Sequence, residues 1–98
     1  MNNFTVTLCI VDRLCCNGKS NTLQKEITVT DLNQTIELQK NYTLHIINVE
    51  SSHCTAIIQD GINTYILNIY TTFKGEICLC STHNSSHKLS ITCTIKES

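Results

Sequence analysis

The chain has 98 residues, seven of them cysteine, with no proline, no tryptophan and a formal net charge of −1. That length makes one domain with a single modest core. The near-neutral, mixed charge offers no basic stripe and argues against nucleic-acid binding, and no apolar run approaches the roughly 20 residues that a membrane-spanning helix needs.

Isoleucine (13) and threonine (14) are the dominant residue types. β-Branched side chains lose rotamer freedom in helices and pack well on pleated surfaces, so the bias predicts an all-β protein. The first strand is expected over about Asn3 to Leu14, with Phe4, Val6, Leu8 and Ile10 on one face and Thr5, Thr7, Cys9 and Val11 on the other. Its start has no basic region and alternates in hydropathy, which reads as a strand and not as a secretion signal. Cys15-Cys16 closes it, and Asn17-Gly18 supplies the positive φ of a tight turn. Adjacent cysteines on a strand point to opposite faces, so these two serve different partners.

A second strand covers Leu23 to Thr30 with Ile27 and Val29 inward, and a short third sets Ile36 and Leu38 on one face. Lys40-Asn41 turns into a fourth strand, Tyr42 to Glu50, whose alternation breaks at Ile46-Ile47 as at a β-bulge. His53 to Gln59 is the fifth. Asp60-Gly61 is the sharpest hairpin signal and leads to a sixth strand, about Ile62 to Phe73, with Tyr65, Leu67, Ile69 and Phe73 on one face. Of the aromatics, Phe4, Tyr65 and Phe73 are expected in the core. After Lys74-Gly75 comes a strand whose Cys78 and Cys80 leave the same face, then a polar turn with His83 and His87. The last strand, Lys88 to Lys96, turns Leu89, Ile91, Cys93 and Ile95 inward. Eight strands with frequent turns and no helical period predict a single domain over residues 1–98, an eight-stranded β-sandwich or jelly roll. Residues 1–18 form its first strand or an arm reaching a neighbouring subunit.

Three chemistries compete for the cysteines. Cys78, Cys80, His83, His87 and Cys93 lie within 16 residues and combine thiolate with imidazole, the ligand set zinc prefers. The spacing is not the Cys-x2-Cys knuckle of zinc ribbons, and the plainer reading makes His83 and His87 exposed turn residues and Cys93 a core thiol. Nucleophilic catalysis lacks a glycine-rich oxyanion loop beside any cysteine and a pair of carboxylates for acid–base work, so no enzyme activity is expected. Disulfides remain. Cys54, Cys78, Cys80 and Cys93 are candidates for internal staples or partner thiols, and Cys9, Cys15 and Cys16 for bonds to another subunit. The odd count leaves at least one thiol free or bonded to another molecule. Asn-x-Ser/Thr sequons at Asn3, Asn33, Asn41 and Asn84 hint at a glycosylating compartment.

The Cys15-Cys16 pair near the N-terminus, the Thr/Val/Ile-rich strands and Cys93 in the final strand resemble the subunits of bacterial endospore appendages. The resemblance implies a jelly-roll subunit whose N-terminal cysteine pair bonds subunits further along a fibre. The pair here follows a strand, which keeps Cys9 among the candidates. The expectation is therefore a structural subunit that pairs strands with copies of itself and is cross-linked by disulfides at an extracellular surface, such as that of a spore or virion. It needs no cofactor and no small-molecule substrate. The alternative is a secreted or viral Ig-like binding module with internal disulfides.

Overall fold

The computed structural model describes residues 4–97. Eight strands follow in chain order: β1 (Phe4–Cys16), β2 (Lys19–Val29), β3 (Ile36–Glu37), β4 (Thr43–Val49), β5 (His53–Gln59), β6 (Thr64–Tyr70), β7 (Gly75–Ser81) and β8 (Ser85–Glu97). They form two antiparallel sheets of four strands, sheet A in the order β2-β1-β8-β7 and sheet B in the order β3-β4-β5-β6.

Local chemistry explains most of this order. Asn17 (φ 52°) and Gly18 (φ 80°) are both left-handed, the two-residue turn whose twist suits a hairpin, and Cys16 faces Lys19 across it. The Asp60-Gly61 hairpin is looser. Gly61 takes φ 100°, and Asp60 Oδ1 accepts the backbone N–H groups of Ile62 (3.0 Å) and Asn63 (2.8 Å), so four residues join β5 to β6. The register between β4 and β5 slips between Ile46 and Asn48, where the sequence alternation breaks, and leaves Ile47 exposed.

The period of two sorts each strand into an inner and an outer row. Val6, Leu8 and Ile10 of β1 and Leu89, Ile91 and Cys93 of β8 are buried against Leu44, Ile46, Cys54, Ala56, Ile58 and Ile69 of sheet B, in one core. Each large aliphatic side chain removed from water there contributes about 1.5–3 kcal/mol. Bonds between the sheets reinforce the packing: the Cys93 thiol donates to Ile69 O (3.5 Å), Tyr65 OH to Leu79 O (3.3 Å) and Lys25 Nζ to Glu37 O (2.6 Å). The architecture is all-β and sandwich-like.

Two expectations need correcting. A jelly roll interleaves strands distant in sequence within both sheets, whereas every pairing here joins consecutive strands except β1 with β8. Tight turns between successive strands enforce that order. Phe73 is not in the core: β6 ends at Tyr70, a turn follows, and the ring is 61% exposed. Of the two alternatives for the N-terminal stretch, first strand or arm, Phe4–Cys16 has the form of a strand, paired with β8 along its whole length and with β2 over most of it.

Candidate functional site

All seven cysteines are unbonded thiols, and the fold divides them sharply. Cys54 on β5 and Cys93 on β8 are buried and face each other across the core. Burial, helped by the neighbouring Cys93 thiol, pushes Cys54 up to about 12, so it stays protonated. Burial also raises Cys93, against the opposing effect of its hydrogen bond with Cys54. Both are inner-row residues of their strands, small and apolar enough to pack as core side chains.

The other five belong to sheet A, on β1 and β7. Cys9, Cys16, Cys78 and Cys80 are exposed and Cys15 is half-buried. Cys15 and Cys16 point to opposite faces, as adjacent strand residues must. Cys9 contacts Glu26 Oε2 at 3.8 Å. Cys78 donates to Cys80 O (3.3 Å), and the Cys80 thiol lies 3.9 Å from Ser85 Oγ. On the outer face Cys78 lines an open recess of about 560 Å3 with Arg13 and Lys88, its neighbours across the ladder. Cys78 therefore lies beside positive charge and open to an approaching molecule, whereas the register slip between the two thiols sets Cys80 opposite the inner-row His87, so they do not leave the same face as the spacing predicts.

The five residues of the possible zinc cluster are not brought together. Cys93 is inside the core, Cys78 is outside, His83 is on the exposed turn, and His87 is committed elsewhere. Among the described residues no three His, Cys, Asp or Glu side chains converge on one point.

His87 is the residue that sequence reading misplaced. β8 begins at Ser85, three residues earlier than expected, so His87 falls on the inner row and is 1% exposed. Its Nε2 meets Oδ1 of Asp12, itself fully buried, at 2.6 Å. Asp12 occupies the next inner position of β1 after Ile10, and its other oxygen accepts the N–H of Gln39 (2.7 Å). The Gln39 side chain donates to Asp12 O (2.8 Å) and Asn21 O (3.1 Å). Lys40 (φ 62°) and Asn41 (φ 61°), both left-handed, hold this short 3-10 turn over the end of sheet A. The alternation did carry the signal: Asp12 and His87 continue the inner rows Val6-Leu8-Ile10 and Leu89-Ile91-Cys93.

Beside the pair lies a cavity of about 170 Å3 lined by Leu14, Tyr42, Asp60, Cys80, Ser85 and His87, among others. The Tyr42 ring packs edge-on against His87 at 5.3 Å. Burial first, then the Asp60 carboxylate and Tyr65, pushes the Tyr42 phenol up to about 12. Backbone N–H groups of Asn63 and Ile62 hold the Asp60 carboxyl below the usual range. Cys80 stands opposite His87 in the ladder, which is the approach a Cys–His nucleophile needs. Yet His87 Nδ1 has no hydrogen-bond partner, and the polar contact of the Cys80 thiol is Ser85 Oγ, so no Cys–His hydrogen bond is formed. The cluster ties β1 and β8 to the turn after β3.

Outside sheet B, His53, Tyr70 and Phe73 stack in sequence with ring centroids 5.1 and 5.0 Å apart. Of the sequons, Asn33, Asn41 and Asn84 are exposed, and Asn3 lies outside the described residues. No family model, curated protein or solved structure matches this chain.

Proposed function

We propose that this protein is a structural subunit that assembles with copies of itself by strand pairing and is locked by disulfides between subunits. One observation carries the reading: the five thiols outside the core all belong to sheet A and have no bonding partner within the chain, while the core is complete without any disulfide. A domain that needed internal staples would place its cysteines in facing pairs, and only Cys54 and Cys93 face each other. Cys9, Cys15, Cys16, Cys78 and Cys80 are thus the candidates for bonds between subunits. β1 is held on both sides, so the cross-links form through its exposed thiols and not by strand exchange. Assembly outside the reducing cytosol, at a surface such as that of a spore or virion, suits such bonds.

The test is a gel of oxidised protein run with and without reductant. A ladder that collapses to a single 11.0 kDa band on reduction is expected. Replacing Cys78 and Cys80 by Ser, or Cys15 and Cys16 by Ser, shortens the ladder while circular dichroism keeps its β signal. A single monomer band in both lanes rejects the reading. The His53–Tyr70–Phe73 stack favours a second one, a binding module that uses these rings as its contact surface; tight binding by the monomer that Tyr70→Ala abolishes would support it.

A further inference from the structure

We propose that the free edge of β6 is the strand-pairing interface and that its partner is the β6 edge of a second copy, joined about a two-fold axis. The inference rests on the self-assembling reading and names the edge it uses.

An edge strand presents unpaired N–H and C=O groups, and proteins that stay apart blunt it with brevity, charge, bulges or inward-pointing lysines. The four sheet margins differ sharply in this respect. β3 has two residues. β2 carries Lys19, Lys25 and Glu26, and Lys25 turns toward sheet B to bond Glu37 O. β7 has the Lys74–Glu76 ion pair at its start and a register slip between Cys78 and Cys80.

From Thr64 to Ile69 β6 has none of these devices; only at its last residue, Tyr70, does the following turn cover the edge, through an antiparallel bridge to Phe73. β6 is seven residues long, Thr-Tyr-Ile-Leu-Asn-Ile-Tyr, and pairs with β5 in unbroken register from Thr64 to Tyr70. No charged residue and no proline occurs from Ile62 to Phe73. Ile66 is 67% exposed and Ile62 91% exposed, unusual exposures for side chains of this size. That composition, β-prone, uncharged and proline-free, is the one that pairs with another strand.

The strand's own sequence selects its partner. In an antiparallel two-fold pairing centred on Ile66 or Leu67, every residue meets a neutral residue of its own face, so no like charges oppose each other. The two sheets B would then run on as one sheet of eight strands. Such a contact closes on itself. Growth beyond the dimer needs a second, different contact, and the thiols of sheet A lie on the other sheet to provide it.

Sedimentation velocity of the full chain in excess reductant tests the interface apart from the disulfides. A concentration-dependent dimer is expected. Ile66→Lys, which sets two lysines near the two-fold and removes nothing from the core, should weaken it about tenfold or more. Hydrogen exchange supplies a second readout: β6 amides lose protection on dilution and in the variant, while β5 amides keep theirs. A chain that is monomeric in reductant at every concentration overturns the proposal and leaves the edge to a strand from a different protein. So does a dimer that a folded Ile66→Lys variant retains. A reductant-resistant dimer without a disulfide ladder would sink the cross-linking reading alone.

Discussion

Asp12 and His87 are polar side chains buried in the interior as a hydrogen-bonded pair. Each is removed from water; Asp12 is the hydrogen-bond partner of His87, while Asp12 divides its carboxylate between His87 and the Gln39 N–H. Removing one leaves the other buried with a lost partner, so Asp12→Ala or His87→Ala should cost about 3–5 kcal/mol in urea unfolding. Replacing both with apolar residues of similar volume should cost clearly less than the sum of the single changes, because no orphaned polar group remains. Cys54 makes an equally local prediction. In the unfolded chain its thiol ionises near its ordinary value of 9.0, whereas the folded environment holds it to about 12. Between those values the unfolded state binds fewer protons, so stability that is complete below about pH 9 falls as pH rises. Tyr42, raised from 10.0 to about 12, adds to the same alkaline loss. Urea midpoints measured from pH 8 to 12 should therefore decline, and more shallowly in Cys54→Ala after allowance for its lower starting stability.

At the scale of elements, strand faces set thiol reactivity. Native protein treated with a chromogenic disulfide should react quickly at the exposed Cys9, Cys16, Cys78 and Cys80 and more slowly at the half-buried Cys15. Cys54 and Cys93 should react only when the two sheets separate, so their labelling should follow the unfolding curve. The β1–β2 hairpin depends on left-handed backbone at Asn17 and Gly18. A Cβ at Gly18 meets no atom within 4 Å, so Gly18→Ala is opposed by backbone conformation alone, at about 1 kcal/mol in a thermal melt. The Asn17 N–H also donates to Asn84 O at 2.8 Å, which couples this turn to the one before β8.

The whole molecule measures 46 × 25 × 17 Å. The long dimension follows from β1 and β8, whose 13 residues span about 43 Å at strand rise, whereas the seven-residue strands of sheet B reach only about 23 Å. Sheet A thus overhangs sheet B, and the exposed stretch Cys16–Thr22 lies at its end. Because the core contains no sulfur–sulfur bond, reductant should leave the monomer's β signal and cooperative melt in place while removing covalent oligomers. Loss of the fold on reduction would mean that internal bonds hold it.

The strands, their faces and most turns were legible in the amino-acid sequence, because a pleated strand alternates and because Asn-Gly and Asp-Gly demand backbone that few residues accept. Leu8, Ile10, Leu89 and Ile91 announce the inner rows of β1 and β8 without help from the rest of the chain. Which strands become neighbours was not legible. Pairing of β1 with β8 joins the two ends of the sequence, and only the collapse of both sheets onto one core selects it over an interleaved order. The same collapse decides the site residues: His87 reads as an exposed turn residue until β1 and β8 align and bury it against Asp12. It also separates seven chemically identical thiols into two within the core and five outside it, since a cysteine's fate depends on which face its strand turns toward the other sheet.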